Sequence, residues 1–76
     1  MTKETKYTLS ELGREHGIHV SPVPKYFCGT LLGWEVDIIS FNEAVESKTN
    51  VCGRLKTKEE AIRAGVEYVE ELLKSL

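Results

Sequence analysis

Four side chains of zinc-binding type, His16, His19, Cys28 and Cys52, are spread through the chain. A structural zinc site in a small domain draws its ligands from close pairs such as C-x-x-C, and no two of these four make one. The spacing therefore predicts no metal and no cofactor. A Cys–His nucleophilic pair also needs an orienting third group and an oxyanion site, and no motif supplies either. Glu35 and Asp37 alternate on a strand-like run, share one face and could reach a ligand together, although such a pair is commonly just the solvated face of a sheet. No catalytic residues are assigned, and the chain reads as non-enzymatic. Lys48, Arg54, Lys56 and Lys58 form a basic cluster in sequence, with Arg63 about a turn into the following helix. Beside that helix's N-terminus they could hold a phosphate, but Glu59 and Glu60 occupy the same helix start and repel an anion.

The element that must position these residues is the last third, Gly53 to Leu76. Thr57 followed three residues later by Glu60 fits a capping box, and Glu59 and Glu60 put negative charge in the first turn. Ile62, Val66, Val69, Leu73 and Leu76 recur at helical spacing, with Ala61, Gly65 and Leu72 widening the stripe and Arg63, Glu67, Glu70, Glu71 and Lys74 on the opposite arc. Gly65 costs about 1 kcal/mol relative to alanine inside a helix, so its place by the apolar face predicts close approach to another backbone.

Upstream, residues 1–7 read as a polar, frayed start. Thr8 to Glu11 fits a second capping box, Leu9, Leu12 and His16 share a face, and Gly17 suits a left-handed cap. His19 to Phe27 is strand-like but contains Pro22 and Pro24, which restrict it to an edge strand or an extended segment. Cys28 to Thr30 reads as a turn. Leu31 to Phe41 is the clearest strand, with Trp34, Val36 and Ile38 toward a core and Glu35, Asp37, Ile39 and Phe41 on the other face. Val51 to Leu55 reads as a short returning strand. The expected fold is α+β in α-β-β-β-α order: a three-stranded antiparallel sheet with a short N-terminal helix and a long C-terminal helix on one face.

Seventy-six residues make one small domain, near the size at which a single core supplies only a few kcal/mol of net stability, so dimerisation is a reasonable way to bury more surface. Ten Lys and Arg against twelve Asp and Glu give a net charge of −2, which disfavours nucleic acid unless a local patch forms. The N-terminus lacks a signal peptide's apolar core and no run is long enough to span a membrane, so the expected location is cytoplasmic, away from membranes. Cys28 and Cys52 make no disulfide framework and read as buried thiols.

Gly33-Trp34-Glu35-Val36, Cys52-Gly53 and Thr57-Lys58-Glu59-Glu60-Ala61 make the segment from Gly33 to Leu76 resemble the N-terminal part of HicB-type antitoxins. That resemblance implies a protein-binding regulatory unit without enzymatic activity; operator binding, which that family assigns to another module, is not implied. The whole chain also resembles a degenerate double-stranded-RNA-binding domain, through Leu9 and Leu12 with Gly17, Pro24-Lys25-Tyr26, Trp34-Glu35-Val36 and the run from Gly53 to Ala61. That second resemblance implies the order of elements. Of the family's basic helix start it carries over only Lys58, and Glu59 stands where another lysine is expected.

The function expected from these residues is a small regulatory binding module, antitoxin- or inhibitor-like, that contacts a protein partner or a second copy of itself. The contact residues are Tyr26, Phe27, Glu35, Asp37, Ile39 and Phe41, an apolar patch rimmed by acid. The alternative is a module that binds duplex RNA or DNA through Lys48, Arg54, Lys56, Lys58 and Arg63.

Overall fold

A computed structural model describes residues 8–75. The frayed start expected at residues 1–7 and the end of the apolar stripe at Leu76 lie outside the described residues. The elements run α1 (Leu9–His16), β1 (Ile18–Phe27), β2 (Thr30–Ser40) and α2 (Lys58–Lys74), an α+β arrangement on a two-stranded antiparallel sheet.

α1 forms because both of its ends are chemically closed. Thr8 Oγ1 accepts from the Glu11 N–H at 3.2 Å, the Glu11 carboxylate accepts from the Thr8 N–H at 3.2 Å, and Gly17 ends the helix at φ 66°. Of the face expected to pack, only Leu12 is fully buried; Leu9 is exposed and His16 half-buried. Asn42 then ties this end down, its side-chain amide donating to the His16 carbonyl at 3.0 Å.

β1 is a full ten-residue strand despite its two prolines, and the hydrogen-bond parity explains how. Trp34 and Ile38 each exchange both backbone bonds with the segment on the far side of β2, at 2.7–2.9 Å. Residues alternating with them, Glu35, Asp37 and Ile39, therefore face β1 opposite Val23, Ser21 and His19. Pro22 and Pro24 lie opposite Val36 and Trp34, in the non-bonded pairs, so neither removes a ladder bond. Their missing N–H groups fall on the outer edge of β1, where they blunt it against a further strand. The strands join through Cys28 (φ 50°) and Gly29 (φ 78°), the paired positive angles of a type I′ hairpin turn. Leu32 is an extra residue on β2, a bulge between the Lys25–Gly33 and Tyr26–Leu31 pairs.

The expected third strand does not form. Residues 48–55 instead touch β2 at two isolated bridges, Ile38 with Lys48 and Trp34 with Leu55, and through a Val51 N–H to Val36 carbonyl bond of 3.1 Å. Six residues lie between Lys48 and Leu55 but only three between Trp34 and Ile38, so three residues must leave the ladder. Positive φ at Asn50 (49°) and Gly53 (74°) provides the detour. The alternation of Val51, Gly53 and Leu55 is real in sequence, but the backbone turns just before it at Asn50 and again within it at Gly53.

The core joins the two helices and one face of the hairpin: Leu12, Ile18, Val20, Val36, Ile38, Val45, Ala61, Val66 and Val69 form one buried cluster. α2 buries Ala61, Gly65, Val66 and Val69 against this core, with Ile62, Leu72 and Leu73 half-buried at its flanks. Glycine is required at position 65 because a Cβ there would come within 2.5 Å of Val20 and 2.8 Å of Val36. Gly65 thus meets close neighbours as expected, but they are valine side chains and not another backbone. Glu70, expected on the exposed arc, is buried.

Candidate functional site

Because α1 and α2 contribute to one core on one face of the hairpin, the opposite face carries no helix among the described residues. We call this the outer face. Alternation places His19, Ser21, Val23, Lys25 and Phe27 of β1 on it, facing Ile39, Asp37, Glu35 and Gly33 of β2. Its two ends are apolar and exposed. Phe27 is 68 % exposed at the hairpin tip, and Ile39 and Phe41 are 41 % and 83 % exposed at the other end. Tyr26 is also exposed, but its side chain points to the helix side, beyond the reach of the helices, beside exposed Leu31 and Leu32.

Between these ends the face is polar and internally paired. Glu35, with its side chain 14 % exposed, lies 3.6 Å from Lys25 Nζ and 3.9 Å from an Arg54 guanidinium nitrogen. Arg54 reaches it across Gly33, where a Cβ would come within 2.6 Å of Arg54 Cγ and 2.7 Å of the Leu55 carbonyl oxygen. Gly33 is therefore the gap through which the 48–55 segment lays a cation on the sheet. Asp37 accepts the Asn50 N–H at 3.0 Å, fixing the start of the detour. The two carboxylates expected to rim a contact patch are in place on the face, and each also anchors the segment beside β2. Nothing in the sequence marks these anchoring roles except the glycine before Trp34.

The basic residues are divided between more than one face. Lys48 stands directly opposite Ile38, so its side chain shares the helix-bearing face, whereas Arg54 lies on the outer face with Glu35. Lys56, Lys58 and Arg63 are exposed at the start of α2, beside exposed Glu59 and Glu60. Five residues along a helix turn through about 140°, so Lys58 and Arg63 point to different sides. Thr57 Oγ1 accepts the Glu60 N–H at 3.1 Å, which occupies one of the donors a phosphate would use.

Cys28 is exposed at the turn and Cys52 is half-buried against the core. Burial, together with the negative charge of Glu67, pushes the Cys52 thiol above its ordinary pKa. Among the described residues, no three His, Cys, Asp or Glu side chains come together as a metal-binding set, and no helix is long and apolar enough to cross a membrane. Comparison with protein families, with curated proteins and with solved structures finds no match to this chain.

Proposed function

We propose that this chain is a small non-enzymatic binding module whose regulatory work is done by protein–protein contact through the outer face of its hairpin. The observation that carries the reading is the exposure of Phe27, Ile39 and Phe41 on a sheet face that neither helix covers. Large apolar side chains around a satisfied polar centre are the composition of a contact surface, with aromatics as anchors. The pairing of Glu35 with Lys25 and Arg54 supports the same role, since a partner covering this face meets a carboxylate whose charge is already compensated. The proline-blunted edge of β1 directs contact to side chains and away from strand addition. A protein-binding unit is also what the resemblance to HicB-type antitoxins implies.

The test is a Phe27→Ser, Phe41→Ser double variant. Both side chains are largely exposed, so circular dichroism should show an intact fold while a partner captured by the parent chain is lost. A partner retained by the double variant would remove the outer face from consideration. Duplex RNA or DNA that binds the parent chain, weakens steeply with salt and is lost on Lys58→Glu would move the assignment to nucleic acid.

A further inference from the structure

We infer that the outer face is a self-association surface on which two copies of this chain stack sheet to sheet, hairpins antiparallel. The inference rests on the reading of that face as a protein contact and names its occupant. Its basis is the order of groups along the face. From the tip they run Phe27; then Lys25, Arg54 and Glu35, with one positive charge in excess; then Asp37, with one negative charge; then Ile39 and Phe41.

A two-fold axis between the sheets, perpendicular to the strands at the level of Val23 and Glu35, reverses this order in the second copy. Phe27 then meets the His19–Ile39 end, with Phe41 just beyond it, and the Lys25 and Arg54 cations stand over the level of Asp37. Both contacts occur twice, as an isologous interface requires. The other two-fold, along the strands, would place tip on tip and excess cation on excess cation. Charge order therefore selects the antiparallel arrangement.

The surface available is modest. A face ~33 Å long and three chain segments (~15 Å) wide covers roughly 500 Å² per copy, about 1,000 Å² for the pair, at the low end of specific interfaces. A weak, concentration-dependent dimer is the expected form.

Sedimentation velocity of the full chain from low micromolar to millimolar concentration tests this. The expected result is a reversible monomer–dimer equilibrium that Phe27→Ser and Phe41→Ser each weaken about tenfold or more with the fold intact by circular dichroism. In a Cys52→Ser background, a short thiol cross-linker should fail to join Cys28 to Cys28, since the two tips lie at opposite ends of the dimer. A monomer at every concentration, a dimer indifferent to both phenylalanine variants, or efficient Cys28–Cys28 cross-linking would each overturn the inference. A monomer that loses some other protein partner on the same two substitutions would overturn it and leave the proposed function standing.

Discussion

Cys28 occupies the first central position of the hairpin turn at φ 50°, a conformation that L-residues other than Asn and Asp adopt at a cost. Cys28→Asn should stabilise the fold by about 1 kcal/mol, raising the thermal midpoint by roughly 4–8 °C for a domain of this size. An unchanged midpoint in calorimetry would mean that the turn carries no such strain. The second thiol differs in kind. Burial and Glu67 disfavour the Cys52 thiolate, so a disulfide reagent at mildly alkaline pH should modify Cys28 quickly and Cys52 slowly. Glu67→Gln should speed the slow phase, and two equal phases would contradict the assignment. Because the folded-state pKa is raised, the Cys52 contribution to stability is fully present below the ordinary thiol range and lost as pH rises through the folded value. The sequence reads both cysteines as buried; the exposed one stands next to Gly29, the signal that a turn and not a core lies there.

Among the elements, α2 depends on a substitution pattern that helix propensity alone would reverse. Gly65→Ala gains about 1 kcal/mol of intrinsic helix propensity, yet its methyl would overlap Val20 and Val36. The clash should win, with a net destabilisation of about 1–2 kcal/mol in chemical denaturation. A stabilised Gly65→Ala variant would show that the helix can retreat from the sheet. The Thr8–Glu11 capping box, the Gly17 and Thr57 caps, the turn, both long strands and the spacing of Val36, Ile38, Val66 and Val69 are legible from residue type and period, whereas of the box expected at Thr57 and Glu60 only the Thr57 half forms. The third strand is not, because its apolar alternation is compatible with a strand while its length mismatch with β2 exists only in three dimensions. On α2 the expected stripe is buried at Ala61, Gly65, Val66 and Val69, while Ile62 and Leu73 are only half-buried, because the helix lies close to the sheet where Gly65 leaves room.

For the molecule as a whole, both helices pack on one side of the hairpin, and neither reaches its other side. In sequence the alternation of Glu35 and Asp37 with Val36 and Ile38 already separates the two faces, and Ile39 and Phe41 already break the polarity of the wet one. The pairing that fixes Glu35 between Lys25 and Arg54 is long-range and has no sequence period. The scattering of Lys48, Arg54, Lys56, Lys58 and Arg63 also depends on which way the 48–55 segment turns, and a linear cluster conceals it. These placements favour contact with protein over contact with a phosphate backbone. The most direct measurement is affinity capture by the parent chain and by the Phe27→Ser, Phe41→Ser variant, side by side, scoring bound protein, including untagged copies of the chain itself. The expected result is a protein bound by the parent and lost by the equally folded variant. The same protein bound equally by both would contradict the role assigned to the outer face.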